Sequence, residues 1–176
     1  MTARPNAIIA RRAFRLPGYA TLGDLGFDGD YVSPIQITSG NPDGPLLISK
    51  DWLDAPSASL HRTELENSGY LAAAPYSRVM DLALSYAGLT RADVYITPIF
   101  HLLTGTRSSQ IPAAHARASF DAIGRYELNG RRPIALGQDA ARTLAYFGID
   151  HMIAPHPSAR IGPYALRADL IAKALA

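Results

Sequence analysis

The sequence predicts an α/β protein, a three-layer α/β/α sandwich around a central, mostly parallel four-stranded sheet. Three observations predict it. Four short apolar runs, at residues 45–49, 93–97, 133–136 and 151–154, have the length of buried strands. The segments between and after them carry apolar residues at helical spacing, with Gly88 and Gly148 as stops. Strands alternating with helices favour parallel pairing, because a parallel connection must cross over the sheet and a helix makes that crossing.

Residues 1–44 are rich in Gly, Pro and Asp, as in Leu22-Gly23-Asp24-Leu25-Gly26-Phe27-Asp28-Gly29-Asp30, and read as an irregular extension wrapped on the core. Asp24, Asp28 and Asp30 lack the ~12-residue loop and terminal glutamate of a calcium hand, so they read as turn formers. Arg4, Arg11, Arg12 and Arg15 form the densest basic patch, and the plain expectation is a solvated, partly disordered arm.

Regular structure is expected from Pro45 onward. Pro45–Ser49 is a strand, followed by a loop from Asp51 to about Gly69. Tyr76–Ala87 places Val79, Ala83 and Tyr86 on a helix that Gly88 ends. Asp93–Thr97 is the second strand, and Pro112 opens a helix that runs towards Tyr126. Pro133–Leu136 is the third strand, Gln138–Phe147 a helix, His151–Ala154 a buried fourth strand and Tyr164–Leu175 the last helix. No internal repeat or linker divides the chain, so residues 1–176 read as one domain.

Composition narrows the chemistry. The 176 residues are 48% hydrophobic and contain no cysteine, which removes disulfides, thiolate metal sites, a cysteine nucleophile and cysteine-held iron–sulfur clusters. No metal or cofactor is expected, since His101, His115 and His151 share no ligand spacing and His115 reads as a surface residue. No apolar run reaches the ~18–20 residues of a membrane span, and Met1–Arg15 lacks a signal-peptide core, so the expectation is a cytoplasmic protein without a membrane partner. The formal charge is only +2, yet fifteen of the seventeen cationic residues are arginine, which suits a nucleic-acid or nucleotide partner.

In a parallel sheet the residues after each strand converge on one edge, where ligands bind. Here these are Asp51, Pro98 to His101, Gly137 and His156. His156 stands between Pro155 and Pro157, which stiffen its loop, and Ser158 follows. Either this loop is a site or it is a proline-rich turn with an incidental histidine.

Three segments resemble the uracil-DNA glycosylase superfamily, most closely its thermophilic branch that carries an iron–sulfur cluster. Ala87-Gly88-Leu89-Thr90-Arg91-Ala92-Asp93-Val94-Tyr95-Ile96-Thr97 resembles the family stretch ending DVYITN. Pro133-Ile134-Ala135-Leu136-Gly137-Gln138-Asp139-Ala140-Ala141 resembles its IVALG segment, and His156-Pro157-Ser158 its HPS motif. The resemblance covers about Pro45 to Leu175 and implies a monomeric DNA glycosylase that flips a pyrimidine from DNA and cleaves its N-glycosidic bond.

Within that resemblance His156 hydrogen-bonds the departing base and Asp51 orients water and stabilises the cationic sugar, with Asp54 the spare carboxylate. Tyr76 stacks on the base, while Trp52 either walls the pocket or is core. Ser158, Arg160, Arg107 and Lys50 are the DNA contacts, with Arg160 or Ile161 filling the gap left in the duplex. Gly137-Gln138-Asp139 reads as a decoy of the first motif.

The departures concern the base. Pro98 replaces the asparagine that reads the uracil edge, and Leu53 replaces the tyrosine that rejects thymine, so the expected substrate is a modified or deaminated pyrimidine without strict uracil specificity. Without cluster cysteines, packing must hold the segments a cluster would clamp. Two alternatives stay open: a DNA-binding or regulatory module that lost the chemistry, and an enzyme acting on free nucleosides.

Overall fold

The computed structural model describes residues 3–176. Its sheet has four strands, β1 (Leu46–Asp51), β2 (Tyr95–Phe100), β3 (Ile134–Leu136) and β4 (Met152–Ala154), in the order β2-β1-β3-β4, all parallel. Strand alternation sends Leu47, Ile96, Ile134, Leu136 and Ala154 to one face and Leu46, Ile48, Tyr95, Ile99 and Ala135 to the other. Helices α4 (Pro75–Tyr86) and α8 (Tyr164–Leu175) cover the first face; α5 (Ala113–Ser119) and α7 (Gln138–Tyr146) cover the second. The three-layer α/β/α sandwich follows, with β1 central and apolar on both sides at Leu46, Leu47 and Ile48. Among the described residues no helix is long and apolar enough to cross a membrane.

Three elements differ from the sequence expectation. The stretch after β1 is not a loop but two short helices, α2 (Ala55–Leu60) and α3 (Arg62–Ser68). Each buries one apolar residue, Ala58 and Leu65, too few to show a stripe. Asp54 accepts the Ser57 backbone N–H at 3.1 Å and is the N-cap of α2. β4 is an edge strand rather than a buried one, with Ile153 57% exposed. β2 is the opposite edge, which is why it accommodates Pro98: a residue with no N–H is tolerated where the strand pairs on one side.

The N-terminal segment is more ordered than its composition suggests. Helix α1 (Ala3–Ala13) packs Ala7 and Ile8 against Val32 and Ile123, the latter in a π-helical turn (Phe120–Gly124) between α5 and α6 (Arg125–Leu128). Arg11 is no solvated arm residue: it is 4% exposed and donates to Asp28 Oδ1 at 2.8 Å and to the Gly29 and Tyr31 carbonyls. Tyr19 and His115 Nδ1 hydrogen-bond at 2.8 Å, which half-buries a histidine expected at the surface. Ala20 pairs with Leu103 in an isolated antiparallel bridge.

A buried carboxylate ties this segment to the sheet. Glu127 Oε2 accepts from Tyr95 at 2.6 Å and from Gln36 at 3.2 Å; Oε1 accepts from Thr97 at 2.9 Å and lies 3.1 Å from His101 Nε2. A carboxylate has room for about four such donors, so its burial is compensated by geometry. Polar ties of this kind, together with the small apolar clusters around Val32 and Phe27, hold residues 3–44 in place.

Candidate active site

Asp51 is the last residue of β1, and His156 lies two residues beyond β4. They do not follow neighbouring strands: β3 runs between them and ends at Gly137. Two inter-strand spacings put their backbones about 10 Å apart. Gly137 has φ +94° and ψ 172°, a conformation open essentially to glycine alone, and a Cβ there would lie 3.0 Å from His156 Cβ. The strand between them therefore ends without a side chain, and His156 packs directly against its terminal glycine.

The HPS loop fixes the histidine. The Ser158 backbone N–H donates to His156 Nδ1 at 3.1 Å, and the Ala159 N–H donates to the His156 carbonyl at 2.9 Å. Buried Arg167 of α8 donates to the Pro157 carbonyl at 2.7 Å and anchors the loop from below. An accepting Nδ1 leaves the ring proton on Nε2. Burial, and after it the Lys50 charge, lowers the His156 pKa to about 4, so the ring is neutral near pH 7. The loop thus presents a neutral N–H donor.

Asp51 feels the opposite effect of the same environment. Burial pushes its carboxyl up, Lys50 pulls it down, and Asp54 and Asp139 push it up again. Lys50 donates to the Ser109 carbonyl at 3.3 Å, which ties the exposed loop carrying Arg107 to this edge.

Tyr76, in the first turn of α4, meets the His156 ring edge-on at 5.5 Å between centroids and 60° between planes. Its hydroxyl is buried beside the Ser49 hydroxyl and near Asp51 without closing a well-formed hydrogen bond. Ser49 is the Cα partner of Pro98, so both lie in the sheet beneath this cleft.

Lys50, Asp51, Tyr76, Pro98 and His156 are thus brought to one edge. Ser158 and Arg160 are exposed on the loop beside them, and Ile161 is 45% exposed. Trp52 and Leu53 serve packing instead. The Trp52 indole N–H donates to the Gly69 carbonyl at 2.8 Å and its ring meets Phe27 edge-on at 5.3 Å; Leu53 packs in the same small cluster around Phe27 and Leu65.

Asp139 was missed. Gly137-Gln138-Asp139 is no copy of the first motif, yet Asp139 in the first turn of α7 lies near enough to raise the pKa of both His156 and Asp51 by its charge. The signal was its position directly after the third strand, where side chains turn onto the ligand edge.

No family model matches the chain, and no curated protein matches it. The resemblance rests on the three motifs alone.

Proposed function

We propose that this protein is a DNA glycosylase of the uracil-DNA glycosylase type, acting on a modified or deaminated pyrimidine. One observation carries the reading: a neutral Nε2–H histidine and a half-buried carboxylate lie at the same edge of the sheet, with only a strand that ends in a glycine between them.

Glycosidic cleavage breaks the bond between C1′ and the base nitrogen, and the bond's electron pair leaves with the base. Negative charge grows on the base carbonyl while positive charge grows on the sugar. In this reading the His156 Nε2–H hydrogen-bonds that carbonyl, as a preorganised donor that need not give up its proton. Asp51 faces the cationic sugar and takes a proton from the water whose oxygen bonds C1′. The products are an abasic sugar and the free base.

Tyr76 offers its ring as a stacking surface, worth about 1–3 kcal/mol for a base. Pro98 supplies no amide to read a uracil edge, which supports a pyrimidine other than uracil as the preferred base. Ser158, Arg160, Arg107 and Lys50 serve the DNA backbone, and the enzyme acts as a monomer without a cofactor.

The test is a panel of oligonucleotides carrying uracil, hydroxymethyluracil, hydroxymethylcytosine, glucosylated cytosine or hypoxanthine, assayed for abasic sites. Abasic sites at one modified pyrimidine, with uracil weak or absent, are expected. Binding of duplex DNA with no abasic product from any member would leave a binding module, and cleavage of free nucleosides alone would make this a nucleoside hydrolase.

A further inference from the structure

A second cationic feature lies beneath α1, formed by the arginines that the glycosylase reading does not use. A cavity of about 110 Å³ is lined by Arg11, Arg12, Arg15, Thr21, Asp28 and His101, among others. That is well above the ~10–15 Å³ that one water needs, and a tetrahedral oxyanion fits.

The donors around it are only partly used. Arg11 spends both terminal nitrogens on Asp28, Gly29 and Tyr31, but its Nε is buried with no partner. Arg12 reaches Asp28 through Nε at 2.9 Å, and Arg15 turns Nη1 to the Arg12 and Phe14 carbonyls. The His101 side chain is fully buried, and beyond the approach of its Nε2 to Glu127 its Nδ1 has no partner. Thr21 Oγ1 accepts the Asp24 N–H at 3.0 Å and turns its own proton to the Asp24 carboxylate.

Three arginines thus line a cavity with one carboxylate, Asp28, which pairs with Arg11 and Arg12 only and is 54% exposed. Buried donors without acceptors are costly, so an acceptor is called for. The donors come from Arg11 and Arg12 of α1 and from Arg15 just beyond it. Three guanidinium groups around one cavity suit a multiply charged group with several acceptor oxygens.

We infer that this cavity binds a phosphate group, either as the free ion or as part of a nucleic-acid strand. The inference stands independently of the glycosylase reading. It is compatible with it, because His101 directly follows Phe100, the Cα partner of Asp51, so the cavity adjoins the same sheet edge.

Isothermal titration of the whole protein with inorganic phosphate, at ionic strength held constant with chloride, tests it. Saturable binding at one site is expected, weakened about tenfold in Arg15→Gln and in Arg12→Gln, since each removes one charge-assisted contact worth about 1.4 kcal/mol. Both residues are exposed, so the variants should fold, and thermal melts without phosphate check this. Arg142→Gln, on α7, should bind phosphate like wild type. No saturable binding, or equal affinity in Arg15→Gln and wild type, overturns the inference. A short oligonucleotide with a 5′-phosphate added to the phosphate-saturated protein separates the sources. Displacement of phosphate supports a nucleic-acid phosphate, coexistence supports the free ion, and both support the site.

Discussion

The two parts of this chain are held by different forces. From Leu46 to Leu175 the structure is a sheet between apolar helix faces, with Leu47, Val79, Met80, Ile96 and Ile171 in one layer and Ile48, Ile99, Phe120 and Leu144 in the other. From Ala3 to Gly44 the apolar side chains form small clusters, Ala7, Ile8 and Val32 with Ile123 and Leu22 and Phe27 with Leu65 and Leu103, and polar ties reinforce them: Arg11 to Asp28 within the segment, Tyr19 to His115 and Gln36 to Glu127 beyond it. Apolar packing is distributed over many side chains and degrades gradually. Polar ties concentrate on a few atoms, so one substitution should release a whole segment.

Glu127→Ala should produce the largest effect. It orphans Tyr95, Thr97, Gln36 and His101 at once in a dry interior, and breaking such a buried charge network costs about 3–5 kcal/mol. Denaturant melts would show it, with hydrogen exchange accelerated first in residues 14–44. An unchanged melt would mean that packing alone holds the N-terminal segment.

Gly137→Ala should cost about 1–3 kcal/mol, because its backbone conformation disfavours any side chain and the new methyl presses on His156. Activity should fall by more than this stability loss explains. A variant as stable and active as wild type would show that the bare glycine in the middle of the sheet edge is not needed.

Asp28→Ala removes the carboxylate that Arg11 and Arg12 share, and because it is half open to water the loss should be on the order of 1 kcal/mol. The Arg11 bonds to the Gly29 and Tyr31 carbonyls remain, so the segment should loosen rather than detach.

A further effect is one of pH. His156 keeps a pKa of about 4 in the fold against an ordinary 6.5, so the unfolded chain binds its proton first as pH falls. Its contribution to stability is complete above about pH 6.5 and is lost between there and about pH 4. Asp51, whose carboxyl is raised by burial, acts in the opposite sense, since protonation relieves its buried charge. Stability of His156→Gln should therefore decline less than that of wild type over this window, and an equal decline would contradict the buried neutral imidazole.

These differences also explain what could be read from the sequence. The strands and the helices α4, α7 and α8 were legible because apolar periodicity is a local property, and the ligand edge followed from strand order alone. Asp51 and His156 could be placed at that edge because each follows a strand, whereas Tyr76 entered only through the family resemblance. The N-terminal helix was hidden because its burial depends on Asp28 and on Ile123, far along the chain. The helices α2 and α3 were hidden because each buries a single apolar residue, and Trp52 was ambiguous because its partner Phe27 lies in a Gly- and Asp-rich segment without apolar periodicity. Asp139 was passed over because its motif was compared with the wrong strand.

The most direct test of the central claim is single-turnover excision of the preferred base by wild type, Asp51→Asn and His156→Ala, with DNA affinity measured in parallel. Both substitutions should lower the excision rate by about 100-fold or more while leaving DNA binding nearly unchanged, the scale expected when a charge-stabilising or proton-accepting group is lost. Full-rate excision by either variant would contradict the account.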